Sequence, residues 1–467
     1  MTNQAYELSA IFIYLGILVA IGVFSYRKHL SAADFLIGSR SLNYWLTALA
    51  AHASDMSSWM FMGYPAAIFL TGYTGAWTGV GLIIFMFLNW QLVAPKIRVA
   101  TEKFSSLTFS SFFESRLADT SGLIRLFTAL ISLFFYTIYI SAGFVGLGIL
   151  IDTLFGIPYY LGILLGILIV VPYVFIGGYL TLAWLDLFQG LFLMAVILFV
   201  PFYILPKVGG FAGISQAIAS KNLVGTMFPE FSAQNYLNIL LTICGFGLGY
   251  FGQPHIVTKF MGIKHVEETN KSKWIGMSWM TISLFAATLV GLVSIPYFFQ
   301  GIENSEQVFI LMVTENFHPI LIGFFLCGIL AATINNIGSQ VLVLSSTLTE
   351  DFYKRVFRKI ASSRELLLVS RLGVVLVTLI AFVIAFFKIS TIYSLVQYAW
   401  SGLGASFGPL LLLCLYSKKV TKQGAWAGII VGSLISALWP LFSSIPPLIP
   451  GFFGNLFAIL MVSKLKK

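Results

Sequence analysis

The stretch Ala51-His52-Ala53-Ser54-Asp55-Met56-Ser57-Ser58-Trp59-Met60-Phe61-Met62-Gly63 places one acid and three hydroxyls inside an otherwise apolar run from Tyr44 to about Thr71. If that run crosses a bilayer, a carboxylate at its centre costs roughly 2.5–3.5 kcal/mol, so Asp55 is expected to face a cavity and mark an ion or solute path. A second run contains Cys244-Gly245-Phe246-Gly247-Leu248-Gly249-Tyr250-Phe251-Gly252-Gln253-Pro254-His255. Each glycine weakens a helix by about 1 kcal/mol relative to alanine, and proline removes a backbone donor. Inside a membrane, such irregular backbone survives where protein or a water-filled cavity satisfies the freed groups. Two interrupted helices at matching places in two halves point to a solute site between them.

Two further residue types bear on chemistry. Asp186, after Gly177-Gly178, is the only other acid well inside an apolar run; it is either functional or a helix-cap or interfacial residue. His52 changes charge near physiological pH, and two roles stand for it: a cation beside Asp55, or a ring satisfied by freed carbonyls. The three cysteines, Cys244, Cys327 and Cys414, show no metal-ligand spacing and read as small buried hydrophobes.

The elements that must position these residues follow from composition. Of 467 residues, 58% are hydrophobic and 9% charged, against about 25% charged in a soluble domain; the mean hydropathy is +0.93. The expectation is an all-α polytopic membrane protein. With about 20 apolar residues per span, about thirteen spans fit, at 8–26, 44–72, 75–95, 124–151, 158–178, 183–206, 236–257, 274–299, 317–348, 368–387, 391–416, 424–441 and 447–463. The two polar interruptions fall in the second and seventh. Five spans separate them, and an odd interval makes the second copy enter from the opposite side. Residues 44–206 and 236–416 then form a five-plus-five inverted repeat, with 8–26 leading and 424–463 trailing, all in one domain spanning 1–467.

The net charge of +10 follows membrane topology, which argues against a nucleic-acid partner. On these spans every Lys and Arg except Lys207, Lys221 and Lys388 lies on one side, which places the C-terminus in the cytoplasm and the N-terminus outside. The segments near 96–123 and 350–367 read as amphipathic cytoplasmic connectors, and the external loop 207–235 as one able to hold a short helix over the mouth. The first apolar run lacks a signal-peptide pattern and reads as a retained span. No zinc motif, nucleophile elbow or carboxylate dyad in register appears, so no enzyme is expected.

Several long motifs appear in order: Asp34-Phe35-Leu36-Ile37-Gly38-Ser39-Arg40-Ser41-Leu42, Ala53-Ser54-Asp55-Met56-Ser57, Gly177-Gly178-Tyr179-Leu180 with Trp184 and Asp186, Gly249 to His255, and Ser345-Ser346 with Thr349-Glu350-Asp351. Over nearly its whole length the chain resembles the sodium:solute symporter family, nearest its bacterial sodium/proline symporters. The resemblance implies a LeuT-type fold and a bacterial inner-membrane location. It implies a Na⁺ site from the carbonyls of Ala53, Met56 and Ala332 with two side chains on the ninth span, Asp55 supplying charge. In those symporters the two side chains are adjacent hydroxyls; here they are Asn335-Asn336. Altered Na⁺ coordination and a proton-coupled or uncoupled mode both remain open. By the same resemblance Asp186 and Ser339 form a second cation site or line an exit path. Ser57, Trp59, Tyr139, Phe246, Tyr250, Gln253 and Pro254 match the proline-site region, Phe246 standing where a Trp is expected.

The function expected is cation-coupled, alternating-access import of proline or a similar small zwitterion, with Na⁺ as coupling ion and no obligatory protein partner. A transporter-derived solute sensor is the alternative.

Overall fold

The computed structural model describes residues 3–25, 37–177, 179–358 and 360–465. Asp34-Phe35-Leu36, Gly178 and the basic residues Arg27, Lys28, Lys466 and Lys467 lie outside the described residues. Helices account for nearly all of the rest, and the described residues contain only isolated β-bridges. Apolar side chains such as Phe24, Phe134 and Leu372 remain exposed on the outer faces, while an apolar core runs through the bundle. An apolar outer surface of helices is what a lipid-facing protein presents.

The helices are α1 (Asn3–Ser25), α2 (Tyr44–Ala53), α3 (Tyr64–Thr71), α4 (Ala76–Leu92), α5 (Ala94–Lys103), α6 (Phe109–Arg116), α7 (Leu123–Phe155), α8 (Tyr159–Gly177), α9 (Tyr179–Ile204), α10 (Gly210–Ser220), α11 (Ala233–Gly247), α12 (Pro254–Met261), α13 (Thr269–Tyr297), α14 (Val308–Asn316), α15 (Pro319–Ser346), α16 (Ser363–Phe386), α17 (Ile392–Tyr416), α18 (Lys422–Leu438) and α19 (Leu448–Leu465). Ten described helices are long and apolar enough to cross a membrane. Of the other three expected spans, 44–72 and 236–257 are interrupted, while 158–178 holds one helix, Tyr159–Gly177. Length and composition thus mark ten of the thirteen expected spans as single helices among the described residues.

Packing in the first half recurs in the second. The helix α2 lies against α9, as the 248–252 break lies against α17; α4 lies against α11, as α3 lies against α13. The helix α7 packs on α8 and α17, as α15 packs on α16 and α9. Both halves thus bring a broken helix to the centre, flanked by the same neighbours. The connectors are tied down at one end: the Arg40 guanidinium donates to the carbonyls of Met261, Thr101 and Ser106. Arg125 pairs with Glu114 and Asp351, binding α6, α7 and the 347–357 segment together. The 207–235 loop does contain a helix, α10, which packs against α13.

Candidate functional site

The first break is built by its own sequence. The Asn43 side chain caps α2, accepting from the Leu46 amide at 2.9 Å. The helix then opens after Ala53, and a π-helical segment, Trp59–Gly63, restarts the chain into α3. Ser57 sits in the gap with its Oγ accepting from the Trp59 amide at 3.2 Å, a local turn that competes with continued helix. Among the described residues no backbone amide donates to the carbonyls of Ala53 or Met56, which leaves both oxygens available.

In the second break, residues 248–252 tighten into a 3₁₀ segment, Gln253 is extended, and Pro254 opens α12. Proline drives the preceding residue out of the helical region and is itself suited to a first turn. The glycines are there for contact: a Cβ on Gly252 would lie 2.7 Å from the Leu403 carbonyl and 2.8 Å from the Gly404 Cα. The break therefore seats backbone to backbone against α17.

The two breaks meet at Asp55. Its Oδ2 accepts from the Tyr250 hydroxyl at 2.5 Å, and both groups are buried. A small cavity opens beside them, lined by Asp55, Met56, Trp59, Tyr139, Phe246 and Tyr250 together with Leu82, Val396 and Trp400. Trp59 stacks on Tyr64 with ring centroids 5.0 Å apart and leans on Phe246 at 5.7 Å. The cavity is an aromatic box with one acid at its edge.

On α15, which is unbroken, Ala332, Asn335 and Asn336 are buried. Asn336 Nδ2 donates to the Ser54 carbonyl at 2.7 Å, and Asn336 Oδ1 accepts from Gln340 Nε2 at 2.9 Å. Its amide thus closes one carbonyl freed by the break. Asn335 is different: its Oδ1 and Nδ2 find no hydrogen-bond partner among the described residues. An unpaired amide oxygen in such a place fits a hard cation, which takes oxygen ligands.

The remaining expected residues lie elsewhere. Gln253 turns its Nε2 to the carbonyls of Gly249 and Trp400, at 3.3 and 3.1 Å, and does not line the cavity. Pro254 and Ser339 line a second cavity, away from Asp55. Asp186 Oδ2 accepts from Lys259 Nζ at 2.8 Å, both side chains being buried. His52 meets neither Asp55 nor a freed carbonyl; its Nε2 accepts from the Trp90 indole at 3.0 Å.

Two residues of this region were not anticipated. Trp400 donates to the Phe246 carbonyl at 2.7 Å and stands edge-on to Tyr250, 5.1 Å away; its indole among Ser401, Gly402 and Gly404 was a legible signal. Lys259 lies two residues past the expected end of the seventh span, where it passed for a topology charge.

Comparison with known proteins fits this architecture. A family model described as the sodium:solute symporter family matches residues 35–432. The high-affinity proline transporter of Bacillus subtilis (strain 168) is 41% identical over 453 residues, 96% of this chain and 95% of that relative. A sodium/proline symporter of Staphylococcus aureus (strain JH9) is 37% identical over 99% of this chain and 93% of its own. Among solved structures, the substrate-bound outward-open state of a Na⁺-coupled sialic acid symporter superposes with a TM-score of 0.84 at 19% identity, covering 98% of both chains. That likeness carries the fold, a LeuT-type arrangement with two central broken helices. The family match and these relatives make the chain an integral membrane protein and a transporter, not an enzyme. With the model match and relatives of this identity running nearly end to end, the chain belongs to the sodium:solute symporter family.

Proposed function

We propose that the protein imports proline, or a small zwitterion of similar size, by alternating access driven by a Na⁺ gradient. It sits in the bacterial cell membrane with its N-terminus outside and its C-terminus in the cytoplasm, as one domain with repeats at 44–206 and 236–416. The observation that carries the reading is the meeting of both helix breaks at Asp55, through the Tyr250 hydroxyl, beside a small aromatic cavity.

Na⁺ is held by the carbonyls of Ala53, Met56 and Ala332 and by Asn335, whose unpaired oxygen suits the role, with Asp55 providing charge. Asn336 acts one step back: it holds the Ser54 carbonyl and so shapes the break. The solute lies among Trp59, Tyr139, Phe246 and Tyr250, with Ser57 at the break; Trp400 backs Phe246 and Tyr250. Gln253 and Pro254 orient the second break. Cation and solute each favour the arrangement that holds both, and this difference in affinity between states is what moves the equilibrium.

A second reading has its own observation. Asn336 already donates to a freed carbonyl, so part of the break is satisfied without a cation, which favours proton coupling or uncoupled exchange. Proteoliposomes separate the two. Radiolabelled proline and a panel of other amino acids are offered with an imposed Na⁺ gradient, a proton gradient or neither. Accumulation above equilibrium with Na⁺ alone is expected. Accumulation with protons alone would select the second reading, and none with either would overturn symport.

A further inference from the structure

Consecutive helices joined by a short connector normally lie side by side as an αα-hairpin. The helices α16 and α17 are joined by residues 387–391 alone, yet both pack on α7 and scarcely on each other. The gap between them is a groove of about 1010 Å³, with α7 as its floor and the 439–447 connector along one rim. Leu130, Leu133, Phe134 and Ile138 of α7 and Ile380 and Ile384 of α16 line it. Leu130, Phe134 and Ile380 are exposed, so the groove opens on the lipid-facing surface.

The lining is graded from one end to the other. Leu130 to Ile138 is about 12 Å of helix, most of one leaflet of a roughly 30 Å hydrocarbon core. The hydroxyl within that stretch, Thr137, donates back to the Leu133 carbonyl at 2.6 Å. Ser390, Ser394, Gln397, Ser443 and Ser444 gather at the other end, where α16 and α18 finish and α17 and α19 begin, which is the membrane surface on that side. Among the described residues Ser390, Gln397 and Ser444 make no side-chain hydrogen bond. The lining contains neither acid nor base; the nearby Lys388 is drawn to α8, its Nζ 5.1 Å from the Tyr159 ring. An apolar length that ends in uncharged hydrogen-bonding groups matches the two parts of a bilayer lipid. Close-packed interiors do not keep gaps of this size, and what this gap opens onto is acyl chain.

We propose that the groove is a binding site for one phospholipid of the bilayer, its acyl chain laid along α7 and its phosphate and glycerol oxygens taken by the serine hydroxyls and the Gln397 amide. With no charge in the lining, headgroup charge is not read. The lipid does more than fill space, because α17 is the wall between the groove and the cavity beside Asp55: Leu395 and Tyr398 line the groove, Val396 and Trp400 the cavity. The Tyr398 hydroxyl donates to the Ala437 carbonyl at 3.2 Å, and the Phe135 ring occupies the place that a Gly402 side chain would take. An acyl chain on α7 therefore completes the support of α17 on the face that protein leaves bare.

The test uses the full chain, extracted in mild detergent and weighed by native mass spectrometry. One phospholipid per chain is expected to survive delipidation, and L133W/I384W, which fills the groove, to retain at most a tenth as much. L376W adds the same kind of bulk on an exposed face of α16 outside the groove and is expected to retain lipid as wild type does. Kd values for added phosphatidylglycerol and phosphatidylethanolamine are expected within threefold of each other. They are expected to hold as ionic strength rises from about 0.1 to 1 M, which shortens the screening length from about 10 to 3 Å. The wild type gives a check that no folding defect can blur: a phospholipid with a photoreactive acyl chain is expected to label 130–138 and 380–389 above all other segments. No retained lipid, retention by L133W/I384W equal to wild type, or label spread evenly over the outer helices would each overturn the site. The mass of a second chain in place of lipid would overturn it in favour of a contact between copies, and a tenfold preference for the anionic lipid would overturn recognition without charge.

Discussion

On the proposed function, the buried Asp55 carboxylate is balanced by the cation held beside it. One oxygen is held by the Tyr250 hydroxyl, and the carbonyls of its own break lie open beside it. An Asp55→Asn substitution keeps the shape and the hydrogen-bonding edge but removes the charge that balances a bound cation. Each 1.4 kcal/mol lost is about a factor of ten in affinity, and a hydrogen-bonded charge in such a place contributes more than that. Na⁺-driven proline uptake by Asp55→Asn is expected to fall at least tenfold, with Asp55→Glu retaining part of it, measured as initial rates across a Na⁺ titration. Unchanged uptake in Asp55→Asn would remove Asp55 from the cation site. Next to it, the two asparagines divide their labour in a way the residue types do not reveal. Asn336 is spent on Ser54 and Gln340, whereas Asn335 has both amide atoms free among the described residues.

The second break behaves as an element because its glycines replace side chains with backbone. At Gly252 a methyl would press on the Leu403 carbonyl and the Gly404 Cα of α17, neither of which can rotate away. Gly16 in α1 has nothing within 4 Å of the same position. Gly252→Ala is therefore expected to destabilise by roughly 1–3 kcal/mol through overpacking, and Gly16→Ala to be nearly neutral. Thermal midpoints of the two variants in the same detergent check this, and equal midpoints would mean that the break is not seated as described. Both breaks were legible because they violate the pattern of their surroundings: an acid and hydroxyls in one, glycines and a proline in the other. What was not legible is pairing across the bundle. Nothing near Lys259 in the chain announces Asp186, which lies 73 residues away, and a lysine at the edge of a span looks like a topology signal. Gln253 likewise sits in the right motif, yet its amide is committed to the Gly249 and Trp400 carbonyls. Motif order locates a site, but the hydrogen bonds within it depend on which helices the fold brings together.

At the scale of the whole molecule, the repeated packing means that neither half holds the site alone. The first half brings Asp55 and Trp59, the second brings Tyr250 and Asn335, and α7 and α17 close the cavity with Tyr139 and Trp400. On the proposed function, cation and solute each bridge the two halves and stabilise the same closed arrangement, so their binding must be coupled. Such coupling is reciprocal at equilibrium: the factor by which saturating Na⁺ tightens proline equals the factor by which saturating proline tightens Na⁺. Coupling free energies of this kind are typically about 1–3 kcal/mol, which is about 5- to 150-fold. Equilibrium binding of labelled proline across a Na⁺ series, and of Na⁺ across a proline series, is expected to return one common factor within that range. Tyr250→Phe, which unlinks the two breaks while leaving the cavity lined, is expected to shrink both factors together. A common factor near one in the wild type would mean that the two halves close independently, and a Na⁺ gradient could then do no work on the solute.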